Sequence, residues 1–202
     1  MRTLTLLADN APTLSGLDDP IFELLISYWH EQKLGATVPA RRRIDPMAID
    51  MALPWTLIIH RNSSHSARVR VAGQKLHEGF GRDPRGMNLD ALFDQQSKPE
   101  LDNYLDSLFR RPAMVQIPIR TTARILRPSQ PATMLLLPLA DAQGKITRAI
   151  GAVCGLGYRK WPTTMTIDQE RSTRVKPVAS TYKKGPDVAR PALRLVIDNA
   201  AD

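Results

Sequence analysis

Apolar positions along this chain change period at recognisable points. Ile21, Leu24, Leu25, Tyr28 and Trp29 fall at i, i+3, i+4, i+7 and i+8, the spacing that lays one apolar stripe along a 3.6-residue helix. Asp19 is placed to cap it, and Pro20 takes the first helical position, where its missing N–H costs nothing. An amphipathic helix is therefore predicted from Pro20 to near Gly35. A second, shorter helix opens the same way, with Asp45 as cap, Pro46 at the first turn, Met47, Ala48, Met51 and Ala52 on one face, and Pro54 as the stop. A third begins at Ser97. Ser97 and Glu100 have capping-box spacing, and Leu101, Tyr104, Leu105, Leu108 and Phe109 share a face.

Between these helices the period drops to two. Trp55 to His60 and Ser66 to Ala72 are β-rich runs joined by Arg61 to His65, and they read as an antiparallel hairpin. In the second run Val69 and Val71 alternate with Arg68 and Arg70, which places both valines on the core face. Gly73 ends that strand. From there to residue 97, Gly79, Gly81, Pro84 and Gly86 allow only short helical fragments. Three further strands are predicted: Met114 to Arg120, extending toward Leu126; Thr133 to Leu139; and Ile146 to Leu156. The last two are joined by Asp141-Ala142-Gln143-Gly144. After Tyr158 apolar periodicity stops, and Thr, Ser, Pro, Lys and Arg dominate up to the short run Leu193 to Ile197. The predicted organisation is a flexible N-terminus over 1–17, one domain over 18–158, and a basic, flexible C-terminal tail over 159–202.

Composition narrows the class. With 43% hydrophobic and 24% charged residues in 202, the chain can bury a core. Its longest apolar runs fall short of the roughly 20 residues a membrane-spanning helix needs. A single cysteine, Cys154, excludes an intramolecular disulfide. The short apolar stretch at Met1 to Ala8 ends in Asp9, which argues against a secretory signal and for a cytoplasmic protein. The net charge of +8 is densest in the tail, where 9 Lys/Arg face 5 Asp/Glu from Arg159 onward. That density opens a second reading, a basic nucleic-acid or anionic-surface binder, with Trp161 and Tyr182 as the tail aromatics available for base stacking.

Catalytic signatures are missing: four scattered histidines accompany no Gly-x-Ser-x-Gly, His-Glu-x-x-His or Ser-x-x-Lys, and no glycine cluster has Walker A or dinucleotide spacing. A non-enzyme is expected. No Cys/His cluster has metal spacing. The densest chemistry lies in Pro39-Ala40-Arg41-Arg42-Arg43-Ile44-Asp45-Pro46. Arg42 to Asp45 reads as Arg-x-x-Asp, and Arg120 with Arg124 as Arg-x-x-x-Arg, two fragments of cyclic-dinucleotide patterns whose remaining halves are absent. The expected role of Arg41 to Arg43 is structural, an ion pair with Asp45 or another acid that fastens the segment to the sheet.

Trp29, the Pro39, Arg41, Arg43, Asp45, Pro46 motif, Leu53-Pro54, Arg70 with Gly73, and Gly81 with Gly86 together resemble a PAS-like family found chiefly in alphaproteobacteria and formerly catalogued as a domain of unknown function. The likeness covers residues 21–158. It implies an α+β fold: an antiparallel sheet of about five strands, short helices on one face, and an N-terminal amphipathic helix. It also implies a sensory or adaptor role in signal transduction, with a signalling protein as partner and a small molecule held between sheet and helices. Leu57, Ile59, Val69, His77, Phe80, Tyr104 and Leu136 are the expected lining of that space. His77 is expected as a pocket or surface histidine rather than a haem ligand, and no cofactor is predicted. Cys154 is expected in the core, away from the central helix where flavin photochemistry needs its cysteine. The Ile21 to Trp29 stripe is the expected seam of a homodimer.

Overall fold

A computed structural model describes residues 19–63, 66–122, 128–159 and 161–178; the predicted N-terminus, Leu126, Tyr182 and Leu193 to Ile197 lie outside them. In chain order the elements are α1 (Pro20–Glu31), 3₁₀ turns at Arg41–Arg43 and Pro46–Trp55, β1 (Thr56–Ser63), β2 (Ser66–Ala72), α2 (Gln74–Phe80), a 3₁₀ turn at Leu89–Leu92, α3 (Lys98–Phe109), β3 (Ala113–Thr121), β4 (Pro131–Ala140), β5 (Ile146–Cys154), β6 (Met165–Ile167) and β7 (Arg174–Pro177). The strands form one antiparallel sheet in the order β2-β1-β5-β4-β3-β6, with β7 also paired to β3. The expected α+β class holds, and the strands among the described residues number seven rather than about five.

Both sheet faces are covered. Leu57 and Ile59 of β1, Val115, Ile117 and Ile119 of β3, and Met134 and Leu136 of β4 pack on Leu76, Phe80, Leu89, Leu92, Leu101, Leu105 and Leu108 from the central helices. The alternate residues Ile58, Met114, Leu135, Leu137, Leu139 and Ile150 pack on the other face, against Phe22, Leu25, Tyr28 and Trp29 of α1 and Ile44, Ile49 and Ala52. This two-sided burial explains why β4 reads as a nearly unbroken apolar run rather than an alternation. We call the α1 side the outer face.

α1 forms as its sequence dictates, with Asp19 Oδ1 accepting from Ile21 N at 2.9 Å. Its stripe is consumed within the chain: Trp29 is fully buried and donates its indole N–H to Pro138 O at 2.8 Å. Leu25, Tyr28 and Trp29 are buried against the sheet of the same chain while Ile21 and Leu24 stay partly exposed, so most of the face expected as a homodimer seam serves as an intramolecular cap.

Four other expectations change. The Pro46–Trp55 segment is not an α-helix but two 3₁₀ turns meeting at Ile49 (φ −125°, ψ 26°). A three-residue repeat buries Ile49 and Ala52, leaving Met47 and Met51 79% and 72% exposed. Val69 and Val71 do not share a face, because the β1 partners step from Val71 at Ile58 to Val69 at Ile59. Arg70 is the extra residue of a β-bulge, and Val71 turns outward. Ser97 does not cap α3: its own backbone is helical, and its Oγ accepts from Ile167 N at 2.9 Å. Glu100 instead receives the Tyr104 hydroxyl and the Gln169 amide.

The fourth change is the domain boundary, expected at residue 158. β6 and β7 lie in the sheet beyond it, Met165 and Ile167 are core residues, and Asp168 is buried. Asp168 takes Arg120 Nε at 2.9 Å and Arg171 Nε at 2.7 Å, while Arg171 Nη2 also donates to Ile119 O and Ala132 O. Burial opposes ionisation of Asp168, but Arg171, the Glu170 N–H and Arg120 outweigh it and hold its carboxyl below the usual range. A carboxyl with a depressed folded-state pKa adds stability above its unfolded pKa and loses it as pH falls through the folded one. Asp168→Asn is expected to cost about 2–3 kcal/mol at neutral pH and progressively less as pH drops below about 4. Urea titrations at pH 7 and pH 3 check this; an equal loss at both would refute it.

Candidate functional site

The residues expected to line an interior space are mostly brought together. Leu57, Ile59, Val69, Phe80 and Leu136 are each at most 2% exposed and belong to one apolar cluster, with Tyr104 partly buried against it. His77 departs from the group. Its Nε2 contacts Ala72 O at 3.3 Å and lies 3.5 Å from Asp83 Oδ1, so its partly exposed ring, at the middle of α2, has polar neighbours. Arg85 and its own N–H hold the Asp83 carboxyl down at about 2, with His77 adding to the effect.

The Pro39 to Pro46 motif is fastened by its backbone. Pro39 O accepts from Ala140 N at 2.9 Å, and Ala40 bridges Ala140 in parallel. The Tyr28 hydroxyl donates to Arg43 O at 3.1 Å and accepts from Asp45 N at 2.7 Å. Ile44 is buried. Asp45 Oδ1 caps the following turn through Met47 N at 2.9 Å. The expected ion pair is not formed: among the described residues, no carboxylate lies within salt-bridge distance of Arg41, Arg42 or Arg43. Backbone clamps do the fastening, and the guanidinium groups have no carboxylate partner among the described residues. Asp45→Ala is expected to remove the cap at a cost of about 0.5–2 kcal/mol, read as a lower melting temperature.

Two of these arginines open onto a groove. Arg41, Ile58, His60, Arg70, Val71 and Arg148 line a cavity of about 330 Å³ on the outer face. Ala40, Arg41, Arg42, Asp141, Ala142, Gln143 and Arg148 line a second of about 340 Å³. Arg41 and Arg148 wall both, so the cavities adjoin at these two side chains. The sheet supplies the geometry. His60 is opposite Arg148 across β1 and β5, and the β2 bulge brings Arg70 Nη2 to 3.5 Å from His60 Nδ1. Burial, then Arg148, then Arg70 lower the His60 pKa, with Asp141 opposing them. Asp141 is occupied by the Gln143 and Lys145 N–H groups and the Thr147 hydroxyl. Sequence reading singled out Arg41 and Arg70 but missed His60 and Arg148. The only signal for them was the strand register, which a single chain of letters does not print.

A third cavity, of about 340 Å³, is lined by Gln116, Pro118, Thr133, Arg171, Ser172 and Arg174. Arg171 is already committed to Asp168 and to two carbonyls.

A family model described as a PAS domain matches residues 18–154. The chain belongs to this family. Solved structures similar to this PAS domain include a light-oxygen-voltage domain studied with a flavin analogue (16% identity, 54% of this chain and 81% of that one, TM-score 0.42). They also include the LOV protein of Rhodobacter sphaeroides (13%, 51% and 59%, 0.41) and the light-state LOV domain of the blue-light photoreceptor Aureochrome1 (15%, 55% and 87%, 0.39). No curated protein matches the chain.

Two glycines of the PAS motif are explained by close approach. A Cβ on Gly73 would stand 2.0 Å from Leu53 O, and one on Gly81, at φ +63°, would stand 2.3 Å from Trp161 O. Cys154 is buried at the end of β5 on the outer face, where burial first, with Asp19 beside it, pushes its thiol pKa far up. Such a thiol is a poor nucleophile. No helix among the described residues is long and apolar enough to cross a membrane.

Proposed function

We propose that this PAS domain is a non-catalytic cytoplasmic sensory or adaptor module of signal transduction, which reports a bound small molecule to a signalling protein through changed surface contacts. The observation that supports it most is the division of labour within the fold. The face under α2 and α3 is packed by an apolar cluster containing Leu57, Ile59, Val69, Phe80 and Leu136, whereas the outer face carries a groove lined by the cations Arg41, Arg42, Arg70 and Arg148 beside Asp141. Cations without a paired nucleophile and base bind anions; they do not carry out acyl or phosphoryl transfer alone.

The rival reading, a polyanion binder working through the basic tail, has part of its cations tied into the fold. Arg159 is held by Thr121 Oγ1 and Gln130 Oε1, and Arg171 is ion-paired with Asp168. Incubation of the purified chain with a deproteinised cell extract, followed by native mass spectrometry and melting, tests the proposal. A compound retained at one per chain, raising the melting temperature and recovered chemically unchanged, supports it. Protein-dependent conversion of a compound, or no retained compound and no shift, overturns it.

A further inference from the structure

We propose that the groove walled by Arg41, Arg70 and Arg148 is the binding site for a phosphate-bearing small molecule carrying at least two negative charges, such as an organic diphosphate. The inference deepens the sensory reading and rests on it only for the purpose of binding. Three observations lead to it. The first is uncompensated charge: among the described residues none of Arg41, Arg42, Arg70 and Arg148 has a carboxylate within ion-pair distance, and the one acid in the wall, Asp141, already accepts three hydrogen bonds. Like charges gathered around one cavity repel each other, and a multiply charged anion relieves that repulsion where a single carboxylate would relieve only part of it.

The second observation is fit. Each cavity is of ligand size, about 330 and 340 Å³, and guanidinium forks match phosphate oxygens two at a time. Arg41 and Arg148, which wall both cavities, mark where the phosphates sit. Ile58 and Val71 form an apolar floor beside them for the organic part.

The third observation is that the groove is built rather than incidental. Arg41 is presented by a segment clamped through Tyr28 and Ala140, Arg70 is aimed by the β2 bulge, and Arg148 is set by its register with His60. His60 faces Arg70 from β2, Arg148 from β5, Arg41 from the 3₁₀ turn and Asp141 from the turn after β4. An anion bound among these cations favours the protonated ring, so binding should raise the His60 pKa and be accompanied by proton uptake.

The test uses the full chain with inorganic pyrophosphate and with ADP, by calorimetry and by NMR titration of the His60 ring. Saturable one-to-one binding is expected, tighter for ADP than for pyrophosphate, with the His60 pKa raised by either. Arg148→Met and Arg70→Gln should each weaken binding at least tenfold while leaving the melting temperature unchanged. If a variant fails to fold, the wild-type His60 titration still decides the question. Failure of both anions to bind or to move His60 overturns the site, yet leaves the sensory reading to the retained-compound experiment. Binding of random duplex DNA with a steep salt dependence, or of phosphatidylglycerol vesicles, that pyrophosphate does not compete away would also overturn it, in favour of a polyanion or membrane surface.

Discussion

A chain ending at Tyr158 is expected to lose cooperative unfolding, while one ending at Val178 keeps it. The first deletes β6 and β7, and with them Met165 and Ile167, which are 0% and 3% exposed. Each contributes about 1.5–3 kcal/mol by burial. It also strips the bonds by which the returning chain closes the inner core: Arg159 N to Glu78 O at 2.7 Å, Thr163 N to Phe80 O at 3.0 Å, and Asp94 N to Met165 O at 2.9 Å. Arg120 loses Asp168, and β3 loses both partners on its outer edge. These losses together approach the ~5–15 kcal/mol that holds a whole domain. Circular dichroism of both truncations in urea distinguishes them. A cooperative transition at the full-length midpoint for the shorter chain would show that β6 and β7 merely decorate the sheet.

Leu25→Glu is expected to unfold the protein, not to dissociate a dimer. Leu25 is 1% exposed in the layer between α1 and the sheet, beside Trp29 and the Leu135 to Leu139 stretch of β4. The substitution removes buried methyl groups at about 2–5 kcal/mol and adds a carboxyl that must either stay charged in an apolar layer or take up a proton there. Part of the loss should therefore be recovered at acidic pH, where the carboxyl is neutral in both states. Light scattering with thermal melting separates the possibilities. A folded monomer from a dimeric wild type would restore the stripe as a subunit seam.

Local chemistry was legible where one element decides its own form. α1 and α3 follow from apolar spacing, with Asp19 capping the first as expected. The cap at Asp45 was also legible from its neighbours alone. The shape of the turn it starts was not, because 3₁₀ and α segments differ by a fraction of a residue per turn over a run this short.

The core faces of the two long helices and the strand segments in the body of the chain could be read from the letters alone, since hydrophobic period and turn residues are local quantities. The family and its α+β fold came from the resemblance carried by the Pro39 to Pro46 motif and its companion residues. The rest depends on how the elements pack. Met165 and Ile167 sit in a stretch too short and polar to show a period, yet they complete the core because β3 has a free edge for them to pair with. Val71 turns out and Arg70 reaches His60 because one extra residue enters β2 opposite β1. Arg41, Arg70 and Arg148, far apart in the chain, share a groove because β1 lies between β2 and β5 while the motif segment runs along the end of β4. Periodicity records whether a side chain is buried; which distant side chain it meets depends on strand order, register and bulges, and those are set by the packing of the whole sheet.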